Sequence, residues 1–85
     1  MYYLLSSDGK GYHVESHFTA DSPLGVVAAL NLSINGFAGK RLIIVKGKTV
    51  PVGTVSVRKY WTVIVDGKAK LAHVVSQRRT FRVMQ

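Results

Sequence analysis

The sequence predicts an α+β domain: an antiparallel sheet of five or six strands, made of hairpins and packed on one short helix, in the order ββαβββ or ββαββββ. Three observations carry this. The stretch Thr54 to Val65, TVSVRKYWTVIV, alternates apolar and polar side chains almost without fault, the period-two signature of a half-buried strand. Shorter strand-like segments around it are punctuated by glycine-centred turns. One segment, opening at Asp21-Ser22-Pro23 and stopping at Asn35-Gly36, carries helix signals. It interrupts a series of hairpins rather than alternating with strands, which separates this class from βαβ folds.

In chain order, Tyr2 to Ser6 reads as a short apolar strand and Ser7-Asp8-Gly9-Lys10-Gly11 as a turn. Tyr12 to Thr19 completes a hairpin. Tyr12, Val14, Ser16 and Phe18 are expected to face inward, and His13, Glu15 and His17 outward.

The helix is expected from about Pro23 to Ile34. Asp21 or Ser22 caps it, and Pro23 suits the first helical position, where a missing N–H costs nothing. Leu24, Val27, Leu30 or Asn31, and Ile34 form one apolar stripe. No charge occurs between Asp21 and Lys40, and Val26, Ala29 and Leu32 spread apolar surface beyond the stripe. Two readings stand. One is a deep-set helix with an alanine- and glycine-rich exposed side. The other is a helix whose second face, through Leu24, Val26, Ala29 and Leu30, meets another chain.

Lys40-Arg41 opens a third strand over Leu42 to Lys46. Gly47-Lys48 turns it and Thr49 to Val52 returns, as an edge or irregular strand because Pro51 cannot donate to a ladder. Gly53 permits a bend before the long strand. Asp8-Gly9-Lys10, Lys46-Gly47-Lys48 and Asp66-Gly67-Lys68 share one turn chemistry, a turn closed by a left-handed glycine. Their lysines serve as plain loop tips or as phosphate contacts.

The register of the last hairpin follows from pattern. A three-residue loop, Val65-Asp66-Gly67, sets Ile64 opposite Lys68, Val63 opposite Ala69, Trp61 opposite Leu71 and Val57 opposite Val75. Apolar then meets apolar, and a one-residue slip would lose the match. Trp61 is expected to be largely buried against the helix with Val63, Leu71 and Val75. The opposite face collects Arg58, Tyr60, Thr62, Lys68, Lys70 and Ser76, continuing to Arg78, Thr80 and Arg82. Lys59 and Arg79 fall on the apolar side, with their heads at its rim. The basic face fits a ribbon that tracks a phosphate backbone, with Tyr60 stacking on a base. It equally fits an edge charged against strand-to-strand aggregation.

Composition bounds the function. Eighty-five residues make one domain that buries only about 60% of its unfolded surface. Twelve Lys and Arg against four Asp and Glu give a formal charge of +8, which attracts polyanions and also keeps molecules apart in solution. There is no cysteine. The N-terminal residues lack the basic and apolar regions of a signal peptide, and no apolar run approaches the roughly 20 residues of a membrane span. A cytoplasmic protein with no membrane partner is expected.

Enzymatic chemistry finds little support. Asp8 and Asp66 sit in turns and Asp21 caps the helix, leaving Glu15 without a carboxylate partner. His13, Glu15 and His17 share one strand face on the expected alternation, a set that holds a metal weakly or is plain polar surface. P-loop and dinucleotide motifs are missing, so no catalysis, metal or cofactor is expected. RNA-recognition, KH and helix-turn-helix signatures are absent as well. Small basic chains of this pattern are the kind of accessory protein that compact viral genomes carry.

Two functions are compatible with this pattern. The first is an accessory protein binding DNA or RNA through Arg58, Tyr60, Lys68, Lys70, Arg78 and Arg82. The second is a protein-binding module working through Leu24, Val26, Ala29 and Leu30: an inhibitor that meets the acidic surface of a host enzyme, or a homo-oligomeric structural component.

Overall fold

The computed structural model describes residues 1–7, 9–19, 21–31 and 41–84. They form an α+β domain with the order ββαβββββ: β1 (Tyr2–Ser7), β2 (Tyr12–Phe18), α1 (Pro23–Asn31), β3 (Arg41–Lys46), β4 (Gly53–Val57), β5 (Tyr60–Asp66), β6 (Lys68–Val75) and β7 (Arg79–Met84). The seven strands make one sheet, ordered β4-β7-β2-β1-β3-β5-β6. All neighbours pair antiparallel except β2 and β7, which are parallel over a short overlap.

The centre of the sheet is β1 beside β3, paired Tyr2 to Lys46 through Ser7 to Arg41. Their sequences, YYLL and LIIV, do not alternate, because both faces of these strands are covered. On one face Tyr2, Leu4, Leu42 and Ile44 pack with Val26, Val27 and Leu30 of α1 and with Val63 and Ala69. On the other, Tyr3, Leu5, Ile43 and Val45 pack with Tyr60, Phe81 and Val83, flanked by Val55 and Val57. The sheet therefore curls, bringing β7 and β4 over the inner face of β1, β3 and β5. Phe81 meets Tyr60 and Tyr12 edge to face, at centroid distances of 5.1 and 5.0 Å.

Several expectations are corrected here. Among the described residues the sheet has seven strands rather than five or six. Residues 49–52 form no strand, and Gly53, at φ 75°, opens β4 directly. Thr54 to Val65 is two strands, broken at Arg58-Lys59. Its alternation survives the break, yet Val55 and Val57 serve the inner core while Trp61, Val63 and Val65 serve the helix side. The returning strand of the last hairpin, whose alternation is expected to continue to Arg82, also breaks, at 76–78. β7 then leaves β6 and pairs with β4 and β2.

The β5–β6 hairpin turns on Gly67 alone, at φ 76°, with Asp66 opposite Lys68. That is two residues tighter than expected. An even shift preserves faces, so Val63 still meets an apolar partner, Leu71. A bulge then places one extra residue, Ala72, between the pairs Val63–Leu71 and Thr62–His73. Beyond it the faces of β6 invert. Val75 lands opposite Tyr60 in the inner core, not beside Trp61, and Trp61 is half-buried against Tyr2 opposite exposed Val74. The Thr62 hydroxyl bridges this irregularity by accepting the His73 N–H at 3.0 Å.

The β1–β2 hairpin matches the expected strands to within one residue at each end and is bulged as well. Leu4 pairs with Ser16 and Leu5 with Val14, leaving Glu15 as the extra residue. Tyr12 and Val14 face the inner core, while Phe18 faces the helix side. Glu15 accepts a hydrogen bond from buried Ser6 Oγ at 2.5 Å.

The helix begins at Pro23, with Gly25 N–H donating to Ser22 O at 3.0 Å. The expected continuation over Leu32 to Ile34, and its Asn35-Gly36 stop, lie outside the described residues. The buried stripe is Val26, Val27 and Leu30, and Leu24 points outward at 67% exposure. Asn31 closes the free side of β6: its Oδ1 accepts the Ala69 N–H at 2.7 Å and its Nδ2 donates to Ala69 O at 3.2 Å. A side-chain amide thus stands in for a further strand at an edge that would otherwise invite pairing. Asn31→Leu is expected to cost about 1–3 kcal/mol by stranding both groups of Ala69. It should also bring concentration-dependent self-association. Thermal melts and light scattering check this, and an unchanged variant would remove the sealing role.

Candidate functional site

The curled sheet leaves one end open, where the N-terminal part of β7 runs beside the turn between β1 and β2. Two clefts meet there. The first, about 300 Å³, is lined by Lys10, Arg41, Arg79 and Arg82, with Ser7 and Thr80 among its other members. The second, about 340 Å³, is largely apolar and is lined by Ile43, Tyr60, Thr62, Ile64, Ala72 and His73 among others. Tyr12, Arg41 and Arg79 line both. Among the described residues no carboxylate lines either.

Arg79 is anchored by a hydrogen bond and by two aromatic rings. Its Nη1 donates to the Tyr60 hydroxyl at 2.9 Å, and its guanidinium lies over the rings of Phe81 and Tyr60, 5.1 and 5.8 Å from their centroids. The Tyr60 hydrogen bond raises its pKa above the ordinary arginine value against a smaller opposing effect of burial. Arg79 therefore stays cationic while resting on the rim of an apolar core, in line with the pattern of the last strands. Lys59 behaves likewise, its ammonium 5.3 Å from the Trp61 ring.

The six expected nucleic-acid-binding residues do not share one ribbon face. Arg82 lines the cationic cleft. Lys70 pairs with Ile64, at the margin of the apolar cleft. Lys68 stands at the hairpin tip opposite Asp66. Arg58 and Arg78 flank the Val57–Arg79 pair, and extending that register by one residue sets them opposite each other. Tyr60 is 5% exposed, so the expectation of a solvent-facing stacking ring is corrected: the split of the long strand turns it inward, where it anchors Arg79. Lys10, Arg41 and Arg79 are not legible as one site in the sequence, because they come from separate stretches that meet only when β7 crosses to β2.

Of the four expected protein-interface residues, Val26 and Leu30 are in the core, Ala29 is half-buried and Leu24 is exposed. The helix offers little else outward beyond Gly25 and Ala28. The shared face of His13, Glu15 and His17 is corrected too. The bulge puts His13 opposite Ser6 on the helix side and His17 opposite Tyr3 on the inner side. Among the described residues no group of three or more His, Cys, Asp or Glu is placed to hold a metal ion.

The fold and clefts together define a small α+β protein with a cationic opening beside an apolar floor. Comparison with protein-family models, with curated proteins and with solved structures finds no match to this chain.

Proposed function

We propose that this protein is a non-enzymatic basic accessory protein that binds nucleic acid through its phosphates, at the open end of the curled sheet. The observation that carries this reading is the convergence of Lys10, Arg41, Arg79 and Arg82 on one cleft. Arginine suits phosphate because its planar fork donates in pairs. The charge of +8 supplies the long-range attraction. Glu15 accepts a hydrogen bond from the buried Ser6 hydroxyl, which accords with a non-catalytic role. No described helix is long and apolar enough to cross a membrane. A cytoplasmic setting accords with a nucleic-acid partner.

Binding isotherms across salt concentrations test this. With about four phosphates contacted, log K against log salt should fall with a slope near −3 to −4 on duplex DNA. Arg41→Gln and Arg82→Gln should each flatten it by about one unit. No affinity for DNA or RNA at low salt would overturn the reading.

A second reading is favoured by one feature. The edge strand β4 carries no charge, and beside it runs a groove of about 360 Å³ lined by Val50, Val52 and Val55 together with Lys46 and Lys48. An extended acidic segment of another protein would add to such an edge as a further strand. The protein-binding alternative then rests on β4, with Leu24 the exposed large apolar side chain of the helix.

A further inference from the structure

The apolar cleft is not needed to bind a phosphate backbone. Its floor includes Ile64, which is 57% exposed although it lies in a strand facing the concave side. Two of its polar groups already accept hydrogen bonds from the protein. The Thr62 hydroxyl accepts the His73 N–H, and the Tyr60 hydroxyl accepts from Arg79. The surface on offer is therefore largely apolar, with the half-buried Tyr12 and the His73 side chain as its other margins. The bulge leaves the small side chain of Ala72 at its wall. Arg41 and Arg79 stand on the boundary between this surface and the cationic cleft.

A ligand matching both halves has an anionic group next to a flat apolar body, which is the chemistry of a nucleotide. A volume of about 340 Å³ lies at the small end of the roughly 300–1,000 Å³ typical of small-ligand sites. A duplex cannot use it, since its bases are stacked inside. Resting on the nucleic-acid reading above, we infer that the protein prefers single strands: one unstacked base enters the cleft over Ile64 while the adjoining phosphate is held between Arg41 and Arg79. Base contacts of this kind tolerate any sequence, because every base has an apolar face.

The test compares three probes at one salt concentration: oligothymidylate, a duplex of equal length, and thymidine 5′-monophosphate. Wild type should bind the single strand about tenfold or more tighter than the duplex. Ala72→Phe fills the cleft and should bring that ratio towards one while duplex affinity holds. Ile64→Lys, at an exposed position that keeps the fold, separates the accounts by sign. A purely electrostatic surface would gain affinity for both polymers in step, whereas a base-accepting cleft would lose single-strand preference. A wild-type ratio near one, or an unchanged ratio in both variants, overturns the inference and leaves phosphate binding standing. Monophosphate bound as tightly as the oligomer also overturns it, in favour of a free nucleotide. Loss of every probe in wild type would instead be the failure of the nucleic-acid reading.

Discussion

Ile44→Ala is expected to lose about 2–5 kcal/mol of unfolding free energy, more than the truncation of any surface aromatic. Ile44 sits opposite Leu4 in the central pair of strands, and both are 0% exposed. Neighbours on the helix side are Val26, Val27 and Leu30, whose own positions are fixed by the sheet, so a cavity there cannot readily collapse. Small domains hold only about 5–15 kcal/mol in total, so this one truncation should move the urea midpoint far towards zero. Trp61→Ala should cost less than a fully buried aromatic. Trp61 is half-buried, and its contacts are the edge of Tyr2 and the ammonium of Lys59. Urea unfolding of both variants ranks them. A larger loss at Trp61 than at Ile44 would refute the two-sided core.

That ranking reverses the emphasis the sequence invites. Thr54 to Val65 shows the cleanest alternation in the chain, yet it supplies two strands near opposite ends of the sheet. Period two reports only that one face is wetter than the other. It does not report that the wet corner at Arg58-Lys59 is a break, since two exposed cations fit a corner and a strand equally well. The strands that organise the fold are those without alternation, Tyr2 to Leu5 and Leu42 to Val45, and their continuous apolar runs were the available sign of burial on both sides.

Local chemistry was legible where it acts locally. Pro23 opens the helix, Gly67 turns the hairpin, and the first two strands pair as neighbours. Every device that depends on one residue more or fewer escaped. The bulges at Glu15 and Ala72 each invert the faces of the residues beyond them, and nothing in the residue types at those positions distinguishes a bulge from a regular step. The candidate site fell with them. Its cations were visible one by one, but their meeting depends on β7 crossing to β2, a pairing between the two ends of the chain.

Val26→Glu is expected to unfold the protein or cost about 4 kcal/mol or more, while Leu24→Glu stays within about 0.5 kcal/mol of wild type. The two positions are two residues apart on one helix and both belong to the uncharged set expected to meet another chain, but Val26 is sealed in the core and Leu24 is open to water. A carboxylate at position 26 would have no cation facing it among the buried residues packed there, which are all apolar. Burial would favour its neutral form and raise its folded-state pKa above the unfolded one. The sign comes from linkage: the variant is least handicapped below the unfolded glutamate pKa and loses stability as pH rises through the raised folded value. Its melting deficit relative to wild type should therefore shrink on acidification, and the small deficit of Leu24→Glu should not. Melting curves of the three proteins at neutral and acid pH decide the matter. A folded, stable Val26→Glu with a pH-independent profile would show that this side of the helix faces solvent or a partner rather than the sheet.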